Sequence, residues 1–198
     1  MKAIRTHQVG GPETLKLDEV DAPTPGKGEV LVAVKACAIN YPDTLMIRDL
    51  YQFKPERPYS PGGEIAGVIE ALGEGVEGHA VGDMVMAGIG NGGLAEQVVV
   101  PADRMFPVPE GVAPEKAASL LMTYGTTIHG LKDRGHIKEG DTVLVLGAAG
   151  GVGLSAVELA KAFGARVVAA VSSEEKGEVA RQAGADAVVI YPKEEMDK

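Results

Sequence analysis

A glycine-rich turn in the stretch LGAAGGVGLSAVELAKAFGA, residues 146–165, constrains this sequence most. Six of the seven residues from Gly147 to Gly153 are glycine or alanine, and a helical pattern follows them. The N–H groups that open a helix bind anions, and small residues let a diphosphate approach the backbone. The spacing Ala148-x-Gly150-x-x-Gly153 keeps the second and third glycines of the dinucleotide fingerprint, with alanine at the first. The predicted diphosphate-binding residues are Ala149, Gly150, Gly151, Val152 and Gly153.

The pattern around the turn decides between a dinucleotide site and a crowded turn that needs small residues only for packing. Apolar runs at 141–147, 165–171 and 185–191 predict strands, and the first run is continuous enough for a strand buried on both faces. Helical spacing at 151–163 and 174–183 places helices between the strands. This order predicts one βαβαβ mononucleotide-binding half and favours the dinucleotide site.

The N-terminal part of the chain has the pattern of short strands broken by glycine and proline. The predicted strands are 29–39, 63–73, 82–89 and 95–108. These strands indicate a compact β-barrel-like domain. Residues 113–135 have helical spacing, with Pro114 suited to a first turn and Gly135 to a stop, and they predict a bridge between domains. We therefore predict two domains, residues 1–122 and 123–198.

Charge and composition exclude several partners. The net charge of −9 and the pI near 5.0 leave no basic face to neutralise phosphate backbones, so nucleic acid is not an expected partner. No stretch approaches the ~18 apolar residues of a membrane span, and the N-terminus lacks an apolar leader, which predicts a cytoplasmic protein without a membrane partner. The single cysteine, Cys37, excludes an intrachain disulfide and a multi-cysteine metal cage.

The residues after the second predicted strand, VSSEEKG, bear on the choice of dinucleotide. An Asp or Glu at the strand end would hold the adenine ribose 2′-OH of NADH. Ser172 and Ser173 instead leave room and hydroxyls for a 2′-phosphate, and Lys176 adds a positive charge. Against this, Ser172-x-x-Glu175 also matches a helix capping box, and Glu174 with Glu175 puts negative charge nearby. We predict that NADPH binds more tightly than NADH.

The segment GDTVLVLGAAGGVGLSAVELAK, residues 140–161, resembles the quinone oxidoreductase signature of the medium-chain dehydrogenase/reductase superfamily, in its zinc-independent, zeta-crystallin-like family. Glu158 stands where that pattern carries Gln. PGGEIAGVIEALG (61–73) and GGLAEQVVVP (92–101) are similar to the superfamily's N-terminal GroES-like domain. The resemblance implies an α/β fold in which a GroES-like β-barrel domain is followed by the first half of a Rossmann dinucleotide-binding domain.

Relatives with this signature continue well past Lys198 and supply the second half of the Rossmann fold. A half-fold would leave an exposed sheet edge and uncovered apolar surface. We therefore expect this chain to be a fragment or truncated form of a longer enzyme. The family commonly forms dimers through strands that this chain lacks, so the resemblance implies a homodimer in the full-length form.

The same resemblance bears on metal binding. Zinc-dependent members of the superfamily carry a ligand Cys where this chain has Asn40, and a ligand His where it has Gly63. Asn is a poor zinc ligand and Gly has no side chain. The four histidines of the chain also show no shared metal-ligand spacing. We predict no bound metal, and chemistry that depends on hydride transfer from a nicotinamide cofactor.

Several candidate catalytic residues follow from the resemblance. Asn40, Tyr41 and Asp43 correspond to residues that line the nicotinamide and substrate site in zinc-free reductases. Tyr51 falls where related enoyl thioester reductases place a tyrosine proposed as proton donor. In the alternative interpretation this segment is only a strand-to-loop turn with Tyr51 as packing. Asp49 departs from a glycine common in the family's loop, which leaves the loop conformation open.

Two further residues correspond to cofactor contacts in the family, namely Thr126 and, near the adenosine, Tyr191. Together these implications predict an enzyme that transfers hydride from NADPH to a quinone or an α,β-unsaturated carbonyl without zinc, since no Lewis acid is available to stabilise an alkoxide. Two alternatives remain open: an enoyl or acrylyl thioester reductase, and a nucleotide-binding protein that keeps the fold without turnover.

Overall fold

The computed structural model describes residues 1–191 of the chain. The chain divides into two compact units, Met1–Met122 and Thr123–Lys198. Within the described residues no helix is long and apolar enough to cross a membrane.

The first unit is built mainly from antiparallel strands. In chain order its strands are β1 (Lys2–Thr6), β2 (Leu15–Glu19), β3 (Glu29–Ala38), β4 (Glu64–Leu72), β5 (Met84–Gly88), β6 (Gln97–Pro101) and β7 (Met105–Pro107). Strands β3 to β7 form one antiparallel sheet in the order β6-β3-β4-β5-β7, and β1 pairs with β2. Backbone bridges from Ala3 to Ala95 and from Thr6 to Tyr59 join the two-stranded ribbon to the rest of the unit.

The core of the first unit comes from alternating residues on the central strands. Val30 and Val32 on β3 and Ile65 and Ile69 on β4 are fully buried, because side chains two apart on a strand share one face. Two short helices, α1 (Tyr41–Met46) and α2 (Pro114–Ala118), complete the regular structure of this unit together with 3₁₀ turns at Pro12–Thr14 and Ala102–Arg104. The ribbon strands β1 and β2 and the helix α1 were not predicted as elements from the sequence.

The stretch 95–108 is not one strand. It divides into β6 and β7, with the 3₁₀ turn Ala102–Arg104 between them. The reason lies in the sheet order: β6 pairs with β3 at one edge, whereas β7 pairs with β5 at the other, so the chain must turn between them.

The predicted helix at 113–135 begins with Pro114 in the first turn and ends just before Gly135, as its sequence signals indicate. It is interrupted, however, after α2. The following turns are π-helical at Leu121–Gly125 and His129–Arg134, with a single α-helical turn, α3 (Thr126–Ile128), between them. Residues 123–127 contain three threonines and a glycine, which have low helix propensity, and this accounts for the irregular winding.

The second unit has the predicted strand, helix, strand, helix, strand order. Its described elements are β8 (Thr142–Leu146), α4 (Gly151–Ala162), β9 (Arg166–Val171), α5 (Glu174–Gln182) and β10 (Ala187–Ile190). The strands are parallel in the order β10-β9-β8. Val157 and Ala160 of α4 and Ala180 of α5 pack against Val167 and Ala169 of β9 in the core.

One expectation about the second unit is wrong. The first parallel strand, β8, was expected to be buried on both faces, but Leu144 and Leu146 are 61% and 65% exposed. Val145, which points the opposite way, is 7% exposed. Among the described residues β8 is an edge strand with only one face covered. Its continuous apolar run therefore does not mean that both faces are buried.

Candidate functional site

The glycine-rich turn lies between β8 and α4, where the sequence places it. Gly147 has φ = +63°, in the left-handed region that favours glycine. Gly150 is the N-cap of α4 and offers no side chain to the free N–H groups of the first helical turn, which begins at Gly151. A Cβ at position 153 would lie 2.3 Å from the carbonyl oxygen of Gly147. Gly153 is therefore required for the close approach of helix and turn.

A small cavity of about 180 Å³ opens beside this turn. It brings together five predicted cofactor residues that are far apart in the sequence: Ala149, Gly150, Ser172, Lys176 and Tyr191. Their arrangement follows from parallel pairing, since the carboxyl ends of β8, β9 and β10 meet at one edge of the sheet. Gly151 and Val152 are exposed at the adjacent opening of α4. The cavity therefore places the glycine-rich turn at the opening of α4 beside a cationic side chain and a hydroxyl.

Ser172 and Ser173 have different roles at the end of β9. The N-cap of α5 is Ser173, whose Oγ accepts a hydrogen bond from the Lys176 N–H at 3.4 Å. The alternative interpretation, a capping box beginning at Ser172, is therefore wrong by one residue, whereas the predicted helix start at residue 174 is confirmed. The Oγ of Ser172 instead accepts a hydrogen bond from the Nζ of Lys176 at 3.0 Å. The hydroxyl and the ammonium are thus held together on the cavity side.

Thr126 is exposed on α3, whereas the neighbouring Thr127 is buried. The Oγ1 of Thr127 lies 2.7 Å from the Oγ of Ser155 on α4, and the Ser155 hydroxyl also lies 2.9 Å from the Val152 carbonyl oxygen and 3.2 Å from the Thr123 carbonyl oxygen. These buried hydroxyls fix the first turns of α4 against the segment that carries Thr126. Sequence analysis did not single out Thr127 or Ser155, because small hydroxyl residues in helices carry no distinctive signal.

In the first unit, Asp43 lies in the first turn of α1 and is 4% exposed. Its carboxylate accepts hydrogen bonds from the backbone N–H of Asn40 at 2.7 Å and of Gly62 at 3.0 Å. Both contacts hold the loop at the start of α1 in place. Asp43 therefore positions the backbone around Asn40, and the cofactor contact implied for it stays a prediction.

Glu64 is the functional candidate that sequence analysis missed. It is the first residue of β4 and is 1% exposed. Its Oε2 accepts a hydrogen bond from the Nδ2 of Asn40 at 3.1 Å, and its Oε1 accepts one from the backbone N–H of Met122 at 3.0 Å. Within the described residues no Lys, Arg or His forms an ion pair with this carboxylate. The available signal was a glutamate directly after two glycines at the start of an apolar strand.

The position that carries a zinc ligand in the metal-dependent enzymes has no side chain and little room for one. A Cβ at Gly63 would lie 3.0 Å from the carbonyl oxygen of Gly90. The amide of Asn40 is engaged by Glu64. Within residues 1–191 no group of three His, Cys, Asp or Glu side chains is arranged to hold a metal ion.

The remaining predicted catalytic residues lie on or near α1. Tyr41 is 74% exposed at the helix start, and Tyr51 is half-buried in the loop that follows. That loop contains Asp49, which has φ = +62°. Asp49 thus keeps a left-handed conformation that suits the family's glycine, and its carboxylate bonds to Lys54 at 3.2 Å and Arg57 at 3.4 Å. The hydrogen bond from Lys54 is the main cause that lowers the pKa of the Asp49 carboxyl.

Comparison with known proteins identifies the family. The model of the alcohol dehydrogenase GroES-like domain matches residues 26–110, and the model of the zinc-binding dehydrogenases matches residues 151–198. The quinone oxidoreductase of Mus musculus is 38% identical over 190 residues, which cover 95% of this chain and 57% of that protein. The chain belongs to the quinone oxidoreductase family of the medium-chain dehydrogenases/reductases.

Solved structures support the assignment to the quinone oxidoreductase family. A probable oxidoreductase from Mycobacterium abscessus has a TM-score of 0.91 at 42% identity, covering 98% of this chain and 62% of that one. A mycobacterial protein determined in complex with NADPH has a TM-score of 0.92 at 38% identity, covering 100% of this chain and 61% of that one. The fold is therefore a GroES-like domain followed by the first half of a Rossmann domain, and the chain spans less than two thirds of the length of these relatives.

Proposed function

We propose that this protein is an NADPH-dependent oxidoreductase that reduces a quinone or another activated carbonyl without zinc. The observation that carries the proposal is the cavity in which the glycine-rich turn, Ser172, Lys176 and Tyr191 meet. Two relatives with this fold support NADPH as the cofactor. One is the mycobacterial protein in complex with NADPH, and the other is a quinone oxidoreductase from Thermus thermophilus that was also determined with NADPH.

The residues of the cavity fit the two anionic groups of NADPH. The first turn of α4 presents N–H groups for the diphosphate, and the helix dipole favours that negative charge. The Ser172 hydroxyl and the Lys176 ammonium provide hydrogen bonds and positive charge for the 2′-phosphate. Tyr191, which follows β10, lines the same cavity, and it is assigned to the adenosine through the family resemblance. Thr126 is assigned to the cofactor through the family resemblance.

When bound, NADPH supplies a hydride, and this makes the acceptor's oxygen negatively charged until it is protonated. In the first unit Asn40 provides an amide N–H donor for that oxygen, and Tyr41 and Tyr51 are the candidate hydroxyl donors. Zinc is not needed for this step, because a quinone or enone is reduced without forming an alkoxide from an alcohol. The missing side chain at Gly63 and the engaged amide of Asn40 support zinc independence.

We also propose that the protein works in the cytoplasm as a homodimer, with a small molecule rather than nucleic acid as its partner. The acidic net charge of −9 argues against nucleic acid. The dimer rests on the family resemblance alone. Light scattering on the full-length form tests it, and a monomer across the micromolar range would remove it.

Steady-state oxidation of NADPH by the full-length form tests the proposed activity. We expect turnover with p-benzoquinone, and slower turnover with crotonyl-CoA. A faster rate with the thioester would change the substrate class to enoyl thioesters. NADPH binding without oxidation by either acceptor would reduce the protein to a nucleotide-binding module. Addition of a zinc chelator is the matched control, and it should leave the rate unchanged.

A further inference from the structure

Glu64 is a buried carboxylate, and a contribution to the stability of the fold does not explain its presence. Removing a carboxylate from water without a cation costs several kcal/mol, and hydrogen bonds only partly offset that cost. Among residues 1–191, two donors reach Glu64, the side-chain amide of Asn40 and the backbone N–H of Met122. One of these donors belongs to the residue proposed above to bind the acceptor's oxygen.

We propose that Glu64 is a positioning residue that fixes which way the Asn40 amide faces. This inference rests on the proposed function of Asn40. Both oxygens of the Glu64 carboxyl group accept hydrogen bonds, so the group selects the Nδ2 end of the amide, because Oδ1 has no hydrogen to donate. The Met122 N–H fixes the other carboxylate oxygen at 3.0 Å, so the carboxylate cannot turn away from Asn40. The second N–H of the amide then stays available for a negatively charged acceptor oxygen.

A purely electrostatic role for Glu64 predicts the opposite effect on the rate. A carboxylate near the reaction opposes negative charge that develops on the acceptor, so removing its charge would speed the reaction. If orientation is what matters, removing its charge slows the reaction. The substitution Glu64→Gln separates the two roles.

In Glu64→Gln the new carboxamide keeps an oxygen for the Met122 N–H and presents an NH₂ group to Asn40. The Asn40 amide must then rotate so that its Oδ1 accepts from this NH₂ group. Its two N–H groups consequently no longer point toward residue 64 and the acceptor's oxygen. We expect kcat with p-benzoquinone to fall about tenfold or more, as when an oriented donor is lost, while NADPH affinity stays unchanged. Glu70→Gln is the matched control, because Glu70 lies on the same strand, is exposed and bonds to Gln97 instead.

Side-chain amide NMR gives a readout that needs no cofactor. The Asn40 NH₂ resonances are assigned by their loss in Asn40→Asp, and we expect Glu64→Gln to shift them upfield as the hydrogen bond to the carboxylate is lost. Glu70→Gln should leave them in place. Should Glu64→Gln fail to fold, Glu64→Asp provides the test: it keeps the charge, withdraws the oxygens by one methylene, and should also shift the resonances and lower kcat.

Unshifted Asn40 resonances in a folded Glu64 variant would overturn the proposal, and so would a kcat that is unchanged or raised. Absence of turnover in the full-length wild type would instead remove the proposed function, and the positioning role with it. Normal wild-type turnover combined with unshifted resonances would remove the positioning role alone.

Discussion

The Nζ of Lys176 lies 3.0 Å from the Oγ of Ser172, so a cation on α5 is held at the end of the neighbouring strand β9. The N-cap of α5 is the neighbouring Ser173, whose Oγ accepts a hydrogen bond from the Lys176 N–H. Ser173 therefore caps the helix, and the proposed role in cofactor preference falls to Ser172.

The Lys176→Ala substitution should selectively weaken NADPH binding. The 2′-phosphate loses a charge-assisted hydrogen bond, and we expect a Kd for NADPH about tenfold higher with no change for NADH. Calorimetric titration with both nucleotides measures the difference. Arg181→Ala at the other end of α5 is the control and should change neither affinity. Equal affinities of the wild-type chain for NADPH and NADH would refute the role of Lys176.

The Ser173→Ala substitution should lower the free energy of unfolding by about 1 kcal/mol, because α5 loses its N-cap. Ser172→Ala should have a smaller effect on stability and a larger one on NADPH affinity. Urea unfolding followed by circular dichroism gives the first quantity. If Ser172→Ala were the more destabilising of the two, the assignment of the cap would be wrong.

Substitutions at Gly153 and Gly150 should have different effects, the first on the stability of the fold and the second on NADPH binding. Gly153→Ala places a methyl group 2.3 Å from the Gly147 carbonyl oxygen, so we expect a loss of about 2 kcal/mol in stability. At Gly150 the added Cβ would be 3.4 Å from that oxygen, an ordinary contact. Gly150→Ala should therefore fold nearly as well as the wild type while binding NADPH about tenfold more weakly, since the methyl group occupies space that the diphosphate needs. Thermal unfolding and NADPH titration of both variants decide the point.

Tyr51→Phe tests the candidate proton donor. If the Tyr51 hydroxyl protonates the reduced acceptor, turnover with crotonyl-CoA should fall about a hundredfold, while turnover with p-benzoquinone should change little. The ratio of the two rates is the relevant measurement, because it cancels any general loss of active protein. A similar decrease with both acceptors would show that Tyr51 has no such role.

The sequence predicted the second unit well, because its strand and helix periodicities are strong and local. The turn at Gly150 and the grouping of Ser172, Lys176 and Tyr191 follow from the parallel topology once the strands are assigned. Uncovered apolar surface was expected of a half-fold, but its position at Leu144 was not predicted, since an apolar run does not tell which face of a sheet is covered.

The sites that the sequence did not reveal depend on long-range contacts. Glu64 receives its hydrogen bonds from Asn40 and Met122, which are 24 and 58 residues away in the chain. No local periodicity encodes such a pairing. The cap of α5 was misplaced by one residue because two adjacent serines offer the same hydroxyl, and only the backbone conformation at Ser173 decides between them.

Titration of the isotope-labelled chain with NADPH, followed by backbone amide NMR, measures binding at the glycine-rich turn itself. We expect saturable shifts of the Gly151, Val152 and Gly153 amides at the opening of α4, together with those of Ser172 and Lys176. NADH should shift the α4 amides and leave those of Ser172 and Lys176 nearly unchanged. Unchanged amides in the Gly150 turn at saturating NADPH would show that this turn does not bind the cofactor.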